Sequence, residues 1–196
     1  MKLIFLGMGA VVLATGLLWL VRNSRAFTAS APYQSVRIEG AFELRDYPAL
    51  TLAVTPMATE GDSSAFRRLF GFITGQNAKT EKIPMTTPVW IDPAPGGQTM
   101  SFVMPESIVR QGVPTPSASG GVHVVQTEPA RYAVMRFKGA SNAKNQSDAV
   151  AQLQAWLDKQ GIVAESGPIF AYYDPPWTLL FLRRNEVMVR VPRGTP

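Results

Sequence analysis

The stretch "QTEPARYAVMRFKG", Gln126 to Gly139, decides the fold once it is set beside "RDYPALTLAVTPM", Arg45 to Met57. Each puts a proline-marked turn before a run whose apolar and polar residues alternate, the period-2 pattern of a half-buried strand. Each is then followed by an amphipathic helical segment that stops at a glycine, and by two further alternating runs. Both halves therefore read strand, turn, strand, helix, loop, strand, strand. Two such halves predict an antiparallel sheet, closed or nearly closed so that its edges are hidden, carrying two helices.

Outward from those stretches, Val36 and Ile38, Phe42 and Leu44, and Leu50, Leu52 and Val54 continue the strand pattern. In "GDSSAFRRLFGFITG" the residues Phe66, Leu69, Phe70 and Ile73 recur at helical spacing. Asp62 or Ser63 is placed to cap this helix and Gly75 to end it. In "SDAVAQLQAWLDKQG", Val150, Leu153 and Leu157 hold the same spacing with Trp156 alongside, Ser147 as N-cap and Gly161 as terminator. The segment "ESIVRQGVPTPSASGG" reads as a long, exposed connection.

The N-terminus is different. Leu3 to Val21 is 19 residues without a charge, long enough to cross a bilayer as a helix. This favours an uncleaved anchor, with cleavage after Ala29-Ser30-Ala31 or Ser24-Arg25-Ala26 as the alternative. The organisation expected is a membrane segment over residues 1–22, a linker over 23–32 and one domain over 33–196. The flanking charges nearly balance, and a short tail before a large domain points to a single-pass anchor with the domain exported.

Charge excludes one class of function. The chain's net +5 includes Lys2, Arg22 and Arg25 beside that segment; without them 16 basic residues face 14 acidic ones, a body charge of +2. A nucleic-acid binder needs a concentrated basic surface. There is no cysteine and one histidine, His123, so disulfides, thiolate metal sites and multi-histidine metal centres are excluded. No Gly-rich phosphate loop follows a strand, and no nucleophile has a base in sequence context. His123 falls in the alternating "GVHVVQ" and reads as a strand residue pointing away from the core; an axial-ligand or base role is the alternative.

What remains is aromatic and thioether surface beside single cations. Arg67, Phe70, Gly71 and Thr74 share a side of the first helix distinct from Phe66, Leu69 and Ile73, and the small residues at 71 and 75 leave room for a flat ligand. Lys79, Lys82 and Met85 follow in the loop that leads into "KIPMTTPVW" (Lys82–Trp90). "YYDPPW" (Tyr172–Trp177) reads as a stiff turn held by Asp174, and Glu186 as the partner of a neighbouring arginine.

"AFRRLF…ITGQN", "KIPMTTPV", "MSFVMP", "YDPP" and "RRNEV", in this order and across residues 33–191, resemble the SOUL haem-binding protein family. The resemblance implies a distorted antiparallel β-barrel of two similar halves flanked by two helices. It also implies binding of haem or another tetrapyrrole, without catalysis, in a shallow apolar groove between the first helix and the YDPP loop. By position, the groove residues are Arg67, Phe70, Gly71, Thr74, Lys79, Met85, Tyr173 and Trp177. With no histidine in the N-terminal half, iron coordination falls to His123, a tyrosine, a methionine or nothing. The alternatives are a sensor or interaction protein using the same fold for another apolar ligand, and a tetrapyrrole-modifying enzyme.

Overall fold

The computed structural model describes residues 29–58, 63–93 and 97–195. Within them the alternating runs form eleven strands: β1 (Ala29–Ser30), β2 (Gln34–Glu39), β3 (Phe42–Tyr47), β4 (Thr51–Met57), β5 (Thr86–Thr87), β6 (Val89–Asp92), β7 (Gln98–Val103), β8 (His123–Gln126), β9 (Ala130–Phe137), β10 (Ile169–Tyr172) and β11 (Asn185–Val191). The helices are α1 (Ser63–Ile73), α2 (Glu106–Gln111) and α3 (Ala143–Gln160), with a 3-10 turn at Leu180–Leu182.

Nine strands make one antiparallel sheet in the order β2-β3-β9-β11-β10-β6-β7-β4-β8, while β1 and β5 pair in parallel apart from it. Beyond β2 the order has a symmetry that follows from the two halves. From the central β10–β6 pair, β11, β9 and β3 lie on one side, and β7, β4 and β8 on the other. The first strand of each half pairs across the boundary: β3 bonds to β9, and β8 to β4.

The sheet is open, so of the expected forms, closed or nearly closed, full closure does not hold. Among the described residues β2 and β8 are each paired on one side only. Both are poor templates for closure. β8 has four residues, all exposed, and β2 is broken by a register shift between Ser35 and Arg37 and carries charges at Arg37 and Glu39. Short, bulged and charged edges resist further pairing.

Curvature gives the sheet a second buried face. Tyr47 on β3 and Trp90 on β6 stand four strands apart, about 19 Å on a flat sheet. Their ring centroids are 5.9 Å apart. The sheet therefore curls until the far strands face one another. Residues alternate accordingly: Leu44, Ala53, Met100, Phe102, Ala133, Val187 and Val189 point toward the helices, and Tyr47, Leu52, Trp90, Val134, Ala171 and Met188 into the concave side.

The helices follow their sequence periods, with shifts. α1 buries Ala65, Leu69, Phe72 and Ile73 against β4 and β7, so Phe72 replaces Phe66 in the core stripe. α3 buries Ala149, Leu153, Trp156 and Leu157 against β9 and β11. It starts four residues before the Ser147 cap expected from sequence, because the Asn142 side chain accepts the Asn145 backbone N–H at 2.9 Å and satisfies one orphan donor of the first turn. Gly161 ends it in the left-handed region at φ 68°, as expected. α2, read as loop, is a third helix that drops Ile108 into the core.

Two N-terminal expectations are affected. Ala29 and Ser30, read as tether, pair with Thr86 and Thr87, and Ala31 is buried. The apolar run Leu3–Val21 lies outside the described residues, among which no helix is long and apolar enough to cross a membrane.

Leu69 is fully buried between α1 and the sheet. Leu69→Ala is expected to lower unfolding stability by about 2–5 kcal/mol through lost burial and a residual cavity, with an unchanged denaturant slope, measured by chemical denaturation.

Candidate functional site

Two sites share the end of the central strands, one on each face. Neighbouring residues of β10 and β11 point in opposite directions, so Tyr172 and Asn185 face the helices while Glu186 faces the concavity.

On the helix side lies a groove of about 690 Å³ over the β6–β10 seam. One wall is Phe66 and Phe70 of α1, one turn apart, with rings stacked at 5.8 Å and 16°. The floor is Met85, Thr87 and Val89, and the opposite wall is Tyr172 with the loop from Tyr173 to Trp177. Ser141, Arg183 and Asn185 complete it. Val89 and Tyr172 are register partners across β6 and β10, so the groove centres on the symmetry of the sheet.

The far wall is stiff. Asp174 Oδ2 accepts the Arg184 N–H at 2.6 Å, and the Thr178 N–H bonds to the Pro175 carbonyl at 3.0 Å. The Arg183 guanidinium donates to the carbonyls of Pro176 and of Thr178. The Gly139 N–H donates to the Leu180 carbonyl at 3.1 Å, tying the loop to the β9–α3 connection.

Of the residues expected at a ligand groove, Phe70, Met85, Tyr173 and Trp177 line it. The others are not among its lining residues. Gly71 is buried, and a Cβ there would stand 2.4 Å from Gln76 Oε1. Its small size makes room for that side chain of the chain itself. Thr74 is exposed and its hydroxyl bonds back to the Phe70 carbonyl at 2.7 Å. Lys79 donates to the Gly112 carbonyl at 3.2 Å, so it joins two loops. Arg67 is exposed on α1, whereas Arg68 is held by Thr55, Ser64 and the Pro56 carbonyl. His123 lies exposed on edge strand β8 opposite Val54. No group of three His, Cys, Asp or Glu suited to a metal occurs among the described residues. Sequence reasoning missed Phe66, because it was assigned to the core stripe.

On the concave side is a buried ionic cluster. Arg45 of β3 forks onto Glu186 of β11, with Nη1–Oε2 at 2.7 Å and Nη2–Oε1 at 2.9 Å. Its Nη2 also donates to Glu43 Oε2 at 2.7 Å. Arg45 and Glu186 are fully buried. Arg184 donates to Glu186 at 2.7 Å and Arg136 to Glu43 at 2.7 Å. The Tyr173 hydroxyl donates to Glu186 Oε2 at 2.8 Å, and the Arg45 guanidinium sits 4.3 Å from the Tyr33 ring centre. A pairing of Glu186 with a neighbouring arginine was expected from "RRNEV"; its fork with Arg45, 141 residues away, and the link from Arg136 to Glu43, 93 residues away, were not.

Burial pushes the Glu186 and Glu43 carboxyls up, but the Arg45 guanidinium, joined by Arg184 at Glu186 and Arg136 at Glu43, holds both below their ordinary range. Burial dominates at Tyr47, pushed up to about 12, and raises Tyr173 still further. The Tyr173 phenol is thus a neutral donor committed to Glu186.

Comparison with known proteins gives consistent results. The family model described as "SOUL heme-binding protein" matches residues 28–190. Heme-binding protein 2 of Mus musculus is 30% identical over 160 residues, covering 76% of this chain and 77% of its own. Heme-binding protein 2 of Homo sapiens is 28% identical over 169 residues, covering 80% and 81%. In structure, the EcmrR C-terminal domain superposes with a TM-score of 0.54 at 13% identity, over 82% of this chain and 98% of that domain. A hydrolase from Listeria innocua superposes with 0.52 at 11% identity, over 87% and 97%. These two likenesses are of fold.

The ionic cluster makes stability acid-sensitive. Glu186 and Glu43 titrate lower in the folded chain than in the unfolded one, so their contribution is complete above the unfolded value of about 4.3 and is lost as pH falls through the folded values. Glu186→Gln, which leaves Arg45 with Glu43 as its one remaining carboxylate, is expected to cost about 3–5 kcal/mol at neutral pH and to flatten the decline below pH 4, measured by denaturation across pH.

Proposed function

The chain belongs to the SOUL haem-binding protein family, and we propose that it binds haem in the groove between α1 and the 173–177 loop. The observation that carries the reading is a preformed, mainly apolar groove with aromatic walls, in a chain of this family. A volume of about 690 Å³ is within the range of sites that enclose a cofactor-sized molecule.

The lining residues fit the chemistry of a flat, apolar macrocycle. Phe66 and Phe70 on one side and Tyr172 and Trp177 on the other offer ring faces, and aromatic packing gains beyond the area it buries. Arg183 is the basic residue of the lining, with part of its guanidinium used on the loop carbonyls, and Arg67, outside the lining, is exposed on α1 next to Phe66 in sequence; these are the cations that would meet the carboxylate edge. Lining donors for iron are the Met85 thioether and the tyrosine hydroxyls. Tyr172 Oη accepts from Gln146 Nε2 at 2.8 Å, and Tyr173 is spent on Glu186. These residues would hold haem mainly by aromatic contact, with the Met85 thioether of the floor as the soft donor it could meet and no part for His123. Bound haem supplies its redox-active iron; the residues here bind and orient it.

The role that follows is binding, buffering or transfer, not turnover. The domain is tethered to a membrane by residues 1–22, on the exported side, with a cleaved signal as the alternative. Other tetrapyrroles present the same faces and edge charges. A second apolar ligand class would use the same walls and is distinguished by the titration below.

Hemin titration of the full chain, against a blank of the same detergent, is expected to give a saturable one-to-one Soret shift. Phe70→Ala and Trp177→Ala each weaken it about tenfold, about 1.4 kcal/mol, and His123→Ala leaves it unchanged. A shift lost only in His123→Ala would return iron ligation to that residue. Absence of saturable binding would turn the groove over to another apolar ligand.

A further inference from the structure

The apolar surface does not stop at the groove. Beyond its far wall the chain turns outward and exposes Trp177 (83%), Leu179 (46%), Leu180 (50%) and Phe181 (64%) within five residues. Across the mouth, Phe66 and Phe70 are also exposed. The other large exposed apolar side chains include scattered ones such as Ile38 and Val163, which need no explanation. Four in one loop do. The loop cannot fold them away, because Arg183, Asp174 and the Gly139 N–H hold its backbone as described.

A second observation says what covers them. β1 pairs with β5, Ser30 opposite Thr87, and the Ala31 N–H donates to the Thr87 carbonyl at 2.9 Å. Thr87 lines the groove. The N-terminal chain thus leaves the fold beside the groove. Seven residues, 22–28, separate the end of the uncharged run Leu3–Val21 from Ala29, a reach of at most about 29 Å. A bilayer entered by that run lies within this reach of the groove mouth.

We propose that the 177–181 loop seats in the interface of the bilayer that holds the N-terminal segment, so that the groove opens onto lipid and exchanges its ligand with the membrane. Trp suits the headgroup level and Phe and Leu the headgroup–acyl boundary just beneath it, and a rigid apolar loop enters it with little ordering cost. The inference rests on the membrane tether proposed above but not on haem binding, since neither ligand nor colour enters its test.

The chain has no cysteine, so a single introduced one can be labelled cleanly. Full-length Phe181→Cys and Val163→Cys, each carrying the fluorophore NBD, are reconstituted into phosphatidylcholine–phosphatidylglycerol vesicles. Val163 follows the C-terminal end of α3, about 27 Å along the helix from the groove residue Ser141, and is exposed. Brominated lipid is expected to quench the label at 181 at least threefold more than at 163, and aqueous iodide to quench the label at 163 more. Co-flotation with equal iodide quenching at both sites overturns the loop's role while keeping the tether. Protection from iodide at 181 without quenching by brominated lipid also overturns it, and assigns the loop to a second copy or to the chain's own N-terminal segment. Failure to float removes the tether and the proposal together, leaving haem binding to its own titration.

Discussion

The Arg45–Glu186 fork is the constraint around which the molecule is arranged. A fully buried guanidinium and carboxylate are tolerated only when their geometry is good and their remaining valences are largely met. Here Glu43, Arg136, Arg184 and Tyr173 supply the additional bonds. The cluster draws on β3, β9, β10's exit and β11. It can form only when the sheet has curled and those strands are in register. A one-residue slip of β11 would turn Glu186 to the helix side and leave the buried Arg45 with Glu43 alone.

That polar centre also positions the groove on the opposite face. Tyr173 bonds to Glu186 from the start of the 173–177 loop, and Arg184 bonds to Glu186 while its N–H holds Asp174. The loop that walls the groove is therefore pinned from behind at its first two residues, Tyr173 and Asp174. Its apolar side chains face the ligand side or solvent, and its polar atoms are used on its own backbone. A preformed wall of this kind spares the ordering cost that a mobile loop would incur on binding.

The two halves meet where the groove lies. β6 and β10 are equivalent strands of the two halves and pair with each other. Val89 and Tyr172, register partners across the seam, each bring a lining residue from one half. The helices break the symmetry: α1 presents Phe66 and Phe70, whereas α3 contributes at its beginning, near Ser141. Ligand sites at the junction of structural units are common because two rigid walls converge there.

Much was legible in the order of residues alone. Period-2 runs located β2 to β4 and β9, glycines 75 and 161 ended the two main helices, and "YDPP" and "RRNEV" located the loop and the buried glutamate. Such features depend on near neighbours in the chain. Short-range pattern did not place α1 in rotation: Phe66 and Phe72 fit a core stripe equally well, and packing against β4 and β7 chose Phe72. Nor did it show that Gln76 fills the space beside Gly71, and it overlooked α2, which has too few residues to show a period.

What the sequence by itself determined was the kind and order of the elements, the absence of cysteine and histidine-cluster chemistry, and an N-terminal run apolar enough for a bilayer. What only the tertiary structure decided was whether the sheet closes, which aromatics line the groove, and who pairs with Arg45. These depend on distances between strands far apart in the chain. Curvature brings Tyr47 to Trp90 and Arg45 to Glu186, and no local periodicity records how far a sheet bends.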